Sequence, residues 1–236
     1  MDKKTQTYLD FLRFSLHEKA ELPHSTYDID WDGLFNFGTS QCIRGVLFQG
    51  IKKLKSSGPH PTTEQLGQWL AYLAAIKKAN VQVYRDADFI TRKFEKETGL
   101  DSLVMKGQAN AMLYPDPYIR EPGDIDLWTM ASTRQVIHWA RRHDPKATIS
   151  YHHIDVKGLR TPVEVHYVPS FMGNLFYEWR LRQYFKKEKA MQFGHKLTLP
   201  DGLGSIGRLC HDFDCIFQLS HMMHHFFYEG LGFRQV

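Results

Sequence analysis

The sequence predicts an α/β (α+β) fold in which a small core of strands and short helices is flanked by helices on both sides along the chain. Three observations predict it. Residues 1–98 place apolar side chains at steps of three and four. Residues 99–170 switch to short runs with a period of two, punctuated by glycine and proline. Residues 171–236 return to helical spacing. The same switches set the expected regions: a helical region over 1–98, an α/β core over 99–170 and a mainly helical region over 171–236.

In the first region, Tyr8, Leu12 and Leu16 share a helix face, as do Ile43, Val46, Leu47, Gly50, Ile51 and Leu54. Ser56-Ser57-Gly58-Pro59 then breaks the pattern. Thr62 and Gln65 have the spacing of a capping box, and Gly99 sits where a glycine ends a helix. Between them, Leu66, Trp69, Leu73, Ile76, Asn80, Val83, Ala87, Ile90 and Phe94 form one stripe, interrupted only by the asparagine. Residues 100–105 are a short apolar run, and 108–114 are about two helical turns. Pro115, Pro117 and Pro122 mark a loop. Residues 124–129 alternate acidic and apolar side chains, as a half-buried strand does. Ser132 can cap a helix running to about His143. Residues 152–156 and 162–168, joined by Lys157-Gly158-Leu159-Arg160, read as a hairpin. A helix over 175–189, a short strand within 193–199 and a buried helix over 210–228 complete the pattern.

Composition narrows the function. Apolar residues make up 42% of 236, yet charges break every apolar run below the length of a bilayer span. The start MDKKTQTYLD has no apolar core of a secretion signal, so the expected setting is cytoplasmic. Cys42, Cys210 and Cys215 form no framework, and the latter two are expected in the core. A net charge of +4 permits a phosphate-bearing ligand, and no basic stripe suits a duplex.

Asp124-Ile125-Asp126-Leu127 is the most informative segment. On a strand, residues two apart point to one side, so both carboxylates would stand together. They repel unless a proton or cation lies between them, and hard divalent ions such as Mg²⁺ or Mn²⁺ take oxygen ligands of this kind. Glu164, with His166 on the same face of the second hairpin strand, would complete a three-carboxylate site able to hold two metals. An Asp-x-Asp pair alone is more often a solvated edge or turn. The surrounding residues shift the balance. Lys106-Gly107 follows a strand and precedes a helix, where free N–H groups favour phosphate, and Arg120 offers a fork for phosphate oxygens. Among the histidines, His153 has an inward role and His166 is open between site and surface. His221, His224 and His225 read as packing, with one imidazole near the pocket.

In these residues the chain resembles the polymerase-β-like nucleotidyltransferase superfamily, and within it the uncharacterised nucleotidyltransferase family found widely in bacteria. The resemblance rests on Met105-Lys106-Gly107, Leu113-Tyr114-Pro115-Asp116-Pro117, the run from Arg120 to Leu127, His153, and Val163-Glu164-Val165-His166. It implies a small mixed-sheet core. It also implies a two-metal, magnesium-dependent enzyme moving a nucleoside monophosphate from a nucleoside triphosphate to an acceptor of unknown kind (small molecule, protein or RNA). Asp124, Asp126 and Glu164 would be the catalytic metal ligands; Lys106, Gly107 and Arg120 would hold phosphates. Gln108 departs from the superfamily, where a hydroxyl or second glycine usually follows the turn. Two alternatives stand beside this reading: a silent nucleotide-binding or toxin–antitoxin-type module, and a metal-dependent phosphohydrolase. In the resembling family further helices follow near this point. The apolar run from Ile216 to Phe227, followed by Leu231 and Phe233 before Val236, is therefore expected to leave an apolar patch exposed or covered by self-association.

Overall fold

The computed structural model describes residues 2–228 and 230–235, without the side chains of Tyr228 and Gln235. Val236, the last residue of the expected apolar patch, lies outside them. Contacts divide the chain into two compact units. The first comprises Met1–Lys78, Asp116–Glu121 and Gly232–Val236; the second comprises Ala79–Pro115 and Pro122–Leu231.

The first unit is helical. Helix α1 (Lys3–Leu16) is capped by the Asp2 side chain, and α2 (Trp31–Ser40) by Asp30, which accepts from the Gly33 amide. Helix α3 (Arg44–Lys53) sends Lys53 Nζ to the carbonyls of Ser15 and His17 at the end of α1, at 3.3 and 2.9 Å. That cation satisfies acceptors which have no partner inside their own helix. The core is aromatic: Phe11 meets Trp31 edge-on, and Phe35 meets Trp69 in the same way. Gly45 on α3 has to be glycine, because a Cβ there would lie 2.0 Å from the Ile119 carbonyl oxygen.

Helix α4 (Thr63–Thr98) runs from one unit into the other. Its expected capping box is present: the Thr62 amide donates to Gln65 and the Gln65 amide to Thr62. Trp69, Ile76, Asn80, Val83, Ala87, Ile90 and Phe94 are all buried along the predicted stripe.

The second unit holds a four-stranded mixed sheet. Strand β1 (Ser102–Val104) leads through the short helix α5 (Gln108–Ala111) to β2 (Ile125–Thr129). Helix α6 (Thr133–His143) carries a complete Ser132–Gln135 capping box. It leads into the hairpin of β3 (His153–Val156) and β4 (Val163–His166). The sheet order is β1-β2-β4-β3; β2 and β4 are parallel, and the other two pairs are antiparallel. Asp86 of α4 fixes the start of β4, accepting from the Thr161 amide at 3.1 Å and its hydroxyl at 2.7 Å. Helix α7 (Leu175–Gln192), strands β5 (Lys196–Thr198) and β6 (Ser205–Gly207), and helix α8 (His211–Tyr228) follow.

Four expectations need correction. Strand β2 is not half-buried: all five of its residues are buried, because it lies between β1 and β4 and because Trp128 stacks on Phe213 and meets Phe193 at a tilt. Helix α5 is one turn, not two; Leu113 and Tyr114 bond back three residues, and Pro115 disfavours helical backbone before it. Helix α8 is not buried all round. Phe213, Phe217 and Ser220 face inward, while Ile216, Leu219, Met223, Phe226 and Phe227 are 41–69% exposed and form the anticipated apolar surface. Cys215 is exposed and so is not a core cysteine, whereas Cys210 is half-buried and packs against the cluster around Trp128 and Phe213. Among the described residues, no helix is long and apolar enough to cross a membrane.

Candidate metal and phosphate site

Register builds this site. In the parallel pairing of β2 with β4, Asp126 lies opposite Glu164, and Trp128 opposite His166. In the hairpin, Glu164 lies opposite Asp155, and His166 opposite His153. Residues two apart share a face. One face of the sheet therefore carries Asp126, Glu164, His166, His153 and Asp155.

Asp126 is 1% exposed. Its Oδ1 lies 3.2 Å from Lys106 Nζ and 3.1 Å from His166 Nε2, while its Oδ2 is buried with no partner. Burial alone would raise this carboxyl. The Lys106 charge and the His166 hydrogen bond outweigh burial and hold it well below the usual carboxylate range. Glu164 Oε2 stands 3.4 Å from both His166 Nε2 and His153 Nδ1. Burial raises Glu164 too, but the hydrogen bond to His166 brings it below its ordinary value. Asp124 precedes β2 and is half-buried. Burial, then the neighbouring Asp126 charge, pushes its carboxyl up. Three acidic groups thus lie close enough to feel one another, and the one without a fixed cation resists ionising.

Lys106 reaches this face from the turn after β1. Its Nζ is also 2.9 Å from His221 Nε2, which is 2.9 Å from His225 Nε2. Burial and the adjacent ammonium push His221 down to about 3. Gly107 adopts φ 61° and ψ −105°, a combination open to glycine alone. Gln108 is wholly buried with neither amide atom partnered. Arg120 belongs to the first unit, where its Nη1 donates to the Glu121 carbonyl at 3.4 Å.

The geometry joins Lys106, Asp126, Glu164 and His166, with Asp124 electrostatically coupled to them. Among the described residues, the donor atoms of Asp126, Glu164 and His166 lie within 4.8 Å of one another, and no such group of three includes Asp124. Sequence reasoning left His166 open; the structure buries it between the two carboxylates at 3% exposure. It missed His152, whose Nε2 is 3.1 Å from His153 Nδ1. The adjacent His-His pair was the only local signal, since alternation sends one of two neighbours away from the site. Here His152 sits at the strand edge, before the pleat takes hold.

The donor set suits a cation. Two carboxylates and an imidazole converge, and the buried Oδ2 of Asp126 has an unused lone pair.

The chain is similar to an antigenic nucleotidyltransferase-like protein from Paracoccidioides brasiliensis, at 15% identity and a TM-score of 0.38, over 64% of this chain and 69% of that one. No curated protein matches. The model of the family described as "Uncharacterised nucleotidyltransferase" matches residues 27–236, a span that includes Lys106, Asp124, Asp126, Glu164 and His166. The chain belongs to that family of nucleotidyltransferases.

Proposed function

We propose that this chain moves a nucleoside monophosphate from a nucleoside triphosphate to an acceptor, and that Mg²⁺ or Mn²⁺ assists it at Asp124, Asp126 and Glu164. One observation carries the reading: the β2–β4 register sets Asp126 opposite Glu164, and the first of these keeps a buried oxygen unpartnered. A bound divalent ion would neutralise phosphate charge and lower the barrier to attack by an acceptor hydroxyl. The remaining work falls to the protein. Asp126 and Glu164 would hold the cation, and Asp124 would add negative charge beside it. His166 orients both carboxylates through Nε2. Lys106 would offer its ammonium to a phosphate oxygen as a point charge. Helix α5 is one turn long, so its dipole adds little. Phosphate binding at this turn rests mainly on Lys106 and the backbone of Gly107.

The Lys106–Asp126 contact also supports a second reading. An ammonium 3.2 Å from the central carboxylate neutralises it without a metal, as a nucleotide-binding module with no turnover would require. Incubation with Mg²⁺ and each labelled nucleoside triphosphate, with and without cell extract, separates the readings. Pyrophosphate release with a labelled product supports the transferase. Binding without release supports the module. Label lost to water without an acceptor supports hydrolysis and overturns both.

A further inference from the structure

Besides Asp126, Lys106 has a second anchor, on helix α8. Its Nζ stands 2.9 Å from His221 Nε2, and the same ring nitrogen stands 2.9 Å from His225 Nε2. We propose that His221 is a positioning residue for Lys106, and that His225 replaces the ammonium on His221 when Lys106 turns to a phosphate oxygen. This deepens the function proposed above and rests on its reading of Lys106.

Donors and acceptors carry the argument. An ammonium only donates, so His221 Nε2 accepts from Lys106. A neutral imidazole that accepts at Nε2 carries its hydrogen on Nδ1. His225 Nε2 can then meet His221 only as a donor. Two donors thus face one lone pair, and it serves one of them fully at a time. With Lys106 on it, the ammonium is shared between His221 and Asp126 and leans less on the carboxylate. With Lys106 gone, His225 takes the lone pair whole. The ammonium therefore moves without stranding a buried acceptor, the usual penalty for breaking such a bond.

Helix spacing builds the device. Phe217, His221 and His225 follow one another at steps of four on α8 and so share a face. Phe217 is buried, and its ring stacks on His221 with centroids 5.7 Å apart, which fixes the plane of the imidazole. The His225 ring stands at 82° to that of His221, with centroids 4.4 Å apart. Burial and the Lys106 charge keep His221 unprotonated near neutral pH, so its lone pair is open to a donor.

The test joins ring-nitrogen NMR to binding, both on the full chain. In ¹⁵N spectra near neutral pH, His221 Nε2 should be unprotonated and His225 Nε2 protonated. In Lys106→Ala the His225 Nε2 proton should move downfield, because it then holds the lone pair alone. A protonated His221 Nε2, or an unmoved His225 proton, would overturn the proposal. Binding of inorganic triphosphate and of Mn²⁺, each measured alone by calorimetry, gives the second readout. His221→Leu should weaken triphosphate binding about tenfold, the worth of one charged hydrogen bond. It should also weaken Mn²⁺ binding, because the ammonium falls back on Asp126. In the Lys106→Ala background it should change neither, and an equal loss there would mark His221 as merely structural. His225→Gln, which still donates, should bind triphosphate like the parent, and His225→Leu should not; equal affinity in these two would remove His225 from the device. Full triphosphate affinity in Lys106→Ala would overturn the phosphate reading itself and leave the spectra as expected. The wrong tautomer at His221 would overturn this inference and leave the Lys106→Ala loss in place, so the two failures are distinct.

Discussion

Arg44 with Glu121 in the first unit, and Lys106 with Asp126, Glu164 and His166 in the second, are both buried clusters of charge, bonded in opposite ways. The Arg44 fork meets Glu121 with two nitrogens, at 3.2 and 3.5 Å, and its guanidinium lies 3.3 Å from the Tyr72 ring centroid. Burial, then the Glu121 carboxylate, pushes the Tyr72 hydroxyl well above its usual range. Each charged group there has its counterpart. In the second cluster Asp126 Oδ1 has two nitrogen neighbours, Lys106 Nζ and His166 Nε2, Oδ2 has none, and Glu164 shares its histidines. A structural ion pair uses its donors and acceptors on each other. A site keeps atoms in reserve for what it binds, and unpartnered buried atoms are where a static structure shows that reserve.

The largest expected effect breaks the second cluster. Asp126→Asn should lower metal-dependent turnover by at least ~10³-fold, the scale for a group acting on charge at the reacting centre. Pyrophosphate release measures it, and near-normal turnover would remove Asp126 from the site. Next comes the structural pair. Glu121→Gln leaves Arg44 buried without its anion and should cost ~3–5 kcal/mol of stability. A lower urea midpoint at unchanged slope reads this, with metal affinity of the folded protein unaltered. Lys106→Ala is smaller and acts in two directions. Nucleotide affinity should fall by about ten- to a hundredfold, the worth of a charged hydrogen bond of ~1.5–3 kcal/mol. Cation affinity should rise, since the competing ammonium is gone. Calorimetry with each ligand separates the two, and equal nucleotide affinity would leave Lys106 as a partner of Asp126 and His221 alone.

The smallest effect concerns pH. Burial, then the neighbouring His166, pushes His152 down to about 3 from 6.5. Between those values the unfolded chain binds the proton and the folded chain does not, so stability falls as pH falls through that window. His166 has the opposite sign. Burial lowers it, but its carboxylate bonds raise it overall, so its contribution is present below the unfolded value and fades as pH rises through the folded one. His152→Gln should flatten the loss of melting temperature on the acid side and leave the alkaline side as it was. An unchanged acid limb would show that His152 is not its source.

Much of this was legible in the chain because it is local. The capping boxes at Thr62 and Ser132, the turn between β3 and β4, and Gly107 each depend on a few neighbouring residues. The pair Asp124 and Asp126 with Glu164 was legible as a set of residue types. Its assembly was not, because pairing β2 with β4 in parallel depends on residues nearly forty apart. For the same reason the burial of His166, the reach of Lys106 to His221 and the inward His152 left no trace in spacing. The second covered face of β2 was hidden too, since Trp128 reads as an ordinary strand residue until Phe193 and Phe213 pack on it.

The sheet order has a consequence for how the chain folds. Strand β4 pairs with its sequence neighbour β3, and β1 with its neighbour β2; only the parallel β2–β4 seam joins the two halves. The β3–β4 turn and the β1–β2 connection are both shorter than the loop through α6 and β3 that the seam must close. Asp126 and Glu164 stand on opposite sides of it. Their mutual repulsion is absent while the halves form separately and falls entirely on the closing step. In the closed sheet Lys106, 3.2 Å from Asp126, answers part of that repulsion, so the seam that assembles the site is also one that the site's own ammonium helps to hold shut.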